Sequence, residues 1–154
     1  MAWVAFDRGI KHVEELGLEG PVEVWQAVAA TIHADICANG YGAELGSFVE
    51  AYGSKNLDGS LRFPTTGFRP PSDPRIVGTV AAVQKRLVVD GYVLRHDPAE
   101  VETGLEHREG AFLACTSWLA DALVLLGRYD EGAAIFERLV ALMNGVGLRR
   151  KTTT

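Results

Sequence analysis

Two cysteines in 154 residues are too few for a disulfide scaffold. Cys37 and Cys115 both fall in helical, apolar contexts, which suits a reduced, cytoplasmic chain. No cofactor or metal is expected: His12, His33, His96 and His107 form no i, i+4 histidine pair, and neither a nucleophile-elbow serine nor a glycine-rich phosphate loop is present. Positive charge is short as well. The formal charge of -5 leaves no basic stripe to displace counterions from phosphates, so nucleic acid is not an expected partner. No apolar run approaches the ~20 residues of a membrane span, and the opening residues lack the pattern of a secretory leader.

What the chain has is helical rhythm and 47% apolar residues, enough for a core. Trp3, Phe6, Ile10 and Val13 repeat at three- and four-residue steps over 2–16, with Gly17 as the stop. Gly20-Pro21 opens a second helix with proline at its first position; its stripe is Val22, Trp25, Val28, Ile32 and Ile36, and Asn39-Gly40 closes it. Asp73-Pro74 caps another helix, carried by Val80, Val83 and Leu87 and ended by Asp90-Gly91. From 109 to 126 the chain is apolar nearly all round, which predicts a helix enclosed on most sides. A last amphipathic helix runs through Ile135, Phe136, Leu139 and Leu142.

The segments between are long. Residues 40–56, with four glycines and an alternation through Phe48, Val49 and Tyr52, predict a loop or small hairpin. Leu57 to Phe63 predicts a short helix closed by Pro64, Pro70-Pro71 enforces an extended crossing, and Tyr92 to Glu106 predicts an ordered loop. Helix pairs joined alternately by tight turns and long loops suit an all-α toroid of helical hairpins, with the long loops on one face. Residues 1–148 form one domain on this reading, and 149–154 a polar tail outside it.

Several stretches together resemble family 15 of the glycoside hydrolases, the glucoamylase and bacterial trehalase-like enzymes: Met1 to Arg8, Leu18 to Val22 with Trp25, Phe48 through Tyr52-Gly53-Ser54 to Asp58, Gly67-Phe68 with Pro70-Pro71 and Asp73 to Arg75, and Glu109 to Leu113 through Cys115 and Trp118 to Leu123. The resemblance implies about half of an (α/α)₆ barrel, and an inverting hydrolysis of α-glucosidic bonds by an acid and a base set apart to admit water. It also implies that the acid lies before the segment matching Met1 and the base after that matching Val146 to Leu148. No catalytic residue is then expected in this chain, which resembles an enzyme but is expected to be inactive alone.

The resemblance implies that Arg95 hydrogen-bonds sugar hydroxyls with its planar fork, and the bland alternative is a surface arginine. Glu109 either faces the pocket or complements a helix dipole. Tyr52, Ser54 and Asp58 suit sugar binding and equally suit loop capping. The ligand implied is an α-glucoside or oligosaccharide. Exposed flanks of a partial barrel predict a homodimer. A rival reading takes Leu126 to Glu131, with Ala133, Phe136 and Leu139, as the turn of a tetratricopeptide-like repeat that binds protein partners.

Overall fold

The computed structural model describes residues 2–60, 66–97 and 110–143. Among them lie five helices: α1 Ala2–Leu16, α2 Val22–Asn39, α3 Pro74–Leu87, α4 Leu113–Leu125 and α5 Tyr129–Ala141. The all-α class expected from the sequence therefore holds, interrupted by two small antiparallel hairpins. One pairs β1 (Tyr41–Gly42) with β2 (Ser47–Phe48), and the other pairs β3 (Val88–Val89) with β4 (Tyr92–Val93).

Local chemistry explains most of the boundaries. Past Gly17, the Leu18 amide donates to the Val13 carbonyl at 3.0 Å and closes α1. Pro21 is the N-cap of α2, one position earlier than expected. Asp73 caps α3 by accepting from the Arg75 amide at 2.9 Å, with Pro74 in the first turn. The Arg75 and Arg69 side chains both donate to the same carboxylate, which holds its pKa well below the usual carboxylate range.

Two expected boundaries are corrected. Helix α3 ends at Leu87 and not at Asp90-Gly91, because Val88 and Val89 turn into a strand. Asp90 and Gly91, with φ of 51° and 84°, make the two-residue turn of the β3–β4 hairpin, where both central residues must be left-handed. The expected loop from Tyr92 thus begins as a strand, and the rest of it from residue 98 lies outside the described residues. Nor does a helix start at Leu57: Asp58 forms a β-bridge with His96, and the remainder of that expected helix from 61 to 65 is not described.

Helix α3 joins two buried clusters. Its Ile76 meets Phe48 and Phe68, flanked by Trp3, Ile36, Cys37 and Tyr41. Its Val80, Val83 and Leu87 meet Leu57, Val93, Cys115, Leu119 and Leu123. Both hairpins are fastened by the same device. The Thr79 hydroxyl accepts from the Phe48 amide at 3.0 Å and donates to the Arg75 carbonyl at 2.7 Å. The Thr116 hydroxyl accepts from the Val93 amide at 2.9 Å and donates to the Phe112 carbonyl at 3.3 Å. A buried threonine in each helix thereby gives a strand amide an acceptor.

The enclosed helix expected at 109–126 is α4, with Cys115, Thr116, Leu119, Ala120, Ala122 and Leu123 buried; Val124 and Leu125 at its end are 44% and 47% exposed. The apolar stripes of α1 and α2 take the expected face but are only half-buried. No described helix is long and apolar enough to cross a membrane.

Candidate functional site

Beyond β4 the chain bends at Arg95, and residues 57–60 lie beside it. Asp58 bridges to His96, and the Gly59 amide donates to the Arg95 carbonyl at 2.7 Å. The pairing is anchored from below, since Leu57 and Val93 are both about 1% exposed within the aliphatic cluster. Gly59 fits because it has no side chain: a Cβ there would stand 2.5 Å from the Leu94 carbonyl oxygen. Gly59, inside the short helix expected from Leu57 to Phe63, is in fact the residue that lets two backbones meet.

This juxtaposition joins two of the sequence-predicted residues. Arg95 Nε stands 3.9 Å from Asp58 Oδ1, with the arginine side chain 49% exposed and the aspartate 16%. Asp58 Oδ1 also accepts from the Ser60 amide at 2.8 Å, which is the loop-capping role. Cys115 lies underneath. Burial first, then the Asp58 charge, pushes its thiol up to about 11, against a smaller opposite effect of Arg95. That thiol is an inert floor to the site.

Tyr52 pairs elsewhere, with helix α2. Its hydroxyl donates to Asp35 Oδ2 at 2.7 Å, and this bond to a carboxylate raises the phenol pKa. Ser54 turns inward on its own loop, accepting from the Asn56 amide at 3.0 Å. Beyond it opens a cleft of about 270 Å³ beside the β1–β2 hairpin, with Asn39, Tyr41 and Ser54 among its walls and a Glu44–Lys55 ion pair at 3.1 Å. Glu109 lies outside the described residues.

The sequence reading missed Glu50 and His96. Glu50 Oε2 stands 3.7 Å from His96 Nδ1, linking the loop that carries Tyr52 to the strand that carries Arg95. The one local signal was that His96 follows Arg95 in an extended run. Among the described residues, no three of His, Cys, Asp and Glu are grouped to hold a metal ion.

The fold and this loop pairing define a helical domain with a polar face built on paired loops, and comparison with known proteins supplies its class. The profile of the glycosyl hydrolases family 15 matches residues 1–154. The chain belongs to that family. It is similar to the trehalase of Thermoplasma acidophilum, 38% identical over 149 residues, which are 96% of this chain and 25% of that protein. It also resembles the trehalase of Mycobacterium tuberculosis, 41% identical over 142 residues, 92% of this chain and 21% of that one. Among solved structures, a wild-type glycosidase superposes with a TM-score of 0.71 at 27% identity, covering 88% of this chain and 36% of the other. A glycosidase variant in complex with glucose gives 0.70 at 30% identity, with the same coverage.

The chain thus spans about a quarter of the length of the curated trehalases it matches. Its all-α fold is that of an arc of the family's toroid. The tetratricopeptide-like alternative is not favoured, since the family match runs the whole length and β-hairpins separate the helices.

Proposed function

We propose that this chain carries part of the sugar-binding surface of a family 15 hydrolase acting on α-glucosidic bonds, and that both catalytic carboxylates belong to segments outside it. The observation that carries the reading is the Arg95–Asp58 pair, a half-exposed planar donor set beside a largely buried carboxylate on two paired loops. Such a fork fits vicinal sugar hydroxyls, which accept and donate in one plane. Tyr52, with an exposed ring, and Glu109 are the further candidate sugar-binding residues on this reading. Residues 1–148 act as one domain, with 149–154 a tail outside it.

The setting is reducing and cytoplasmic, in keeping with two free cysteines. A second copy of the chain covers the apolar positions left open, among them Leu16, Leu18, Val24, Phe136 and Met143. Light scattering is expected to show a dimer; a stable monomer that binds no hydrophobic dye overturns that part.

The test of the main reading has two arms. Purified chain is incubated with trehalose, maltose and starch, and no glucose release is expected. Turnover that disappears in Glu109→Ala would place a catalytic carboxylate inside the chain and overturn the assignment. Titration with glucose is expected to perturb the Arg95 Nε–H and Gly59 amide NMR signals, and Arg95→Ala to abolish the Gly59 response.

A further inference from the structure

We propose that Glu50 and His96 are positioning residues for Arg95: a hydrogen bond from the imidazole to the Glu50 carboxylate holds the 94–97 strand at the register that aims the guanidinium. The proposal rests on the sugar-binding reading only for what Arg95 is aimed at. Its geometry stands apart from that reading.

Arg95 and His96 are neighbours on one short segment that bends at Arg95, so a hold on the imidazole acts one residue from the guanidinium. The Arg95 side chain is 49% exposed and that of His96 22%. His96 Nδ1 is buried and has no hydrogen-bond partner. A ring nitrogen in that state loses its water without replacement, which native folds avoid unless a partner is near. Glu50 Oε2 is near, at 3.7 Å. A small rotation of the carboxylate brings it within bonding distance of an Nδ1–H, as either donor-bearing form of the ring allows.

Glu50 is itself held. Its amide donates to the Asn56 carbonyl at 3.2 Å, closing the loop 50–56, so a bond from its side chain ties one ordered loop to another. The strand already has fixed points on its other side. Val93 bonds through both its amide and its carbonyl, to Thr116 and to the Phe112 amide, and the Arg95 carbonyl accepts from Gly59. Past residue 95 the Arg86–Asp97 ion pair at 3.7 Å holds the far end of the segment. His96 adds a restraint next to Arg95 itself, and Asp58, bridged to His96 and 3.9 Å from Arg95 Nε, transmits it to the guanidinium.

The experiment uses the full chain labelled with ¹⁵N, comparing wild type, Glu50→Ala, Glu50→Gln and His96→Ala. Glu50→Ala is expected to move the Arg95 Nε–H signal and to speed Gly59 amide exchange by about tenfold, the size set by losing one hydrogen bond. His96→Ala should do the same. Glu50→Gln retains an acceptor and should restore most of the wild-type behaviour. The Leu123 amide, in the core, reports whether the fold itself survives. Unchanged Arg95 and Gly59 signals in Glu50→Ala overturn the proposal. So does a loss of protection that reaches Leu123 in all three variants, since the pair then supports the core and not the guanidinium. A glucose titration separates the two readings. Weaker binding in Glu50→Ala, restored in Glu50→Gln, supports both, whereas a wild-type chain that takes up no glucose refutes the sugar-binding reading and leaves the positioning proposal to the Arg95 and Gly59 signals.

Discussion

The first helical pair, α1 with α2, and the second, α3 with α4, differ in what covers their apolar residues. Helix α1 buries no residue and α2 buries only Ala29, whereas α3 buries five and α4 six. The hairpins make the difference. Phe48 fills the space against Ile76, and Val93 fills the space against Cys115 and Leu123, each delivered by a strand whose amide a threonine accepts. Helices α1 and α2 lie on each other and on the edge of the aromatic cluster, where Trp3 meets Phe68 edge-on at 5.2 Å. Amphipathic spacing names the face that seeks cover; a neighbour must still arrive.

The largest expected effect tests that contrast directly. Leu123→Ala empties a fully buried position and should cost about 2–5 kcal/mol in urea unfolding, whereas Val28→Ala on the half-buried stripe of α2 should cost well under that. Equal losses would erase the distinction between the pairs. Next come Thr116→Val and Thr79→Val, each leaving a buried strand amide without its acceptor, at about 1–3 kcal/mol. A loss confined to one of them would show that one hairpin alone is fastened this way.

Asp73 ranks third. Asp73→Ala removes an N-cap and should cost about 1 kcal/mol at neutral pH. The folded carboxyl is held below its unfolded value, so its stabilisation is complete above the unfolded pKa of about 3.9 and fades as pH falls below it. The variant should therefore lose less to acid between about pH 4 and pH 2 than wild type does. A parallel acid response in both proteins would refute the coupling. The smallest energetic effect belongs to Val77→Ala, at a position 45% exposed, expected within about 0.5 kcal/mol of wild type. The cysteines offer a separate check: partly exposed Cys37 should react with a thiol reagent in the native state, and Cys115, with its thiol pushed up to about 11, only on unfolding.

Much of the helical frame was legible. Stripe spacing located α1, α2, α3 and α5, and Asp73-Pro74 marked a start because capping is a matter of neighbouring residues. The β3–β4 turn was legible too, as Asp90-Gly91 between apolar pairs, yet the same two residues also suit a helix stop, and only the strand pairing decides. Asp58 and Arg95 were identified singly. Their meeting was not readable, because the pairing of 57–60 with 94–97 joins segments almost forty positions apart and leaves no periodic trace. Glu50 and His96 escaped for the same reason: nothing local distinguishes a carboxylate that reaches another loop from one that faces solvent.

Position 59 shows what such long-distance pairing asks of a genome. An alanine there would be the mildest change chemistry offers, and it would push against the Leu94 carbonyl and swing the neighbouring guanidinium off its aim. If Arg95 takes up sugar as proposed, a saturation scan for ligand uptake would find position 59, with nothing to touch the ligand, as intolerant as Arg95 itself.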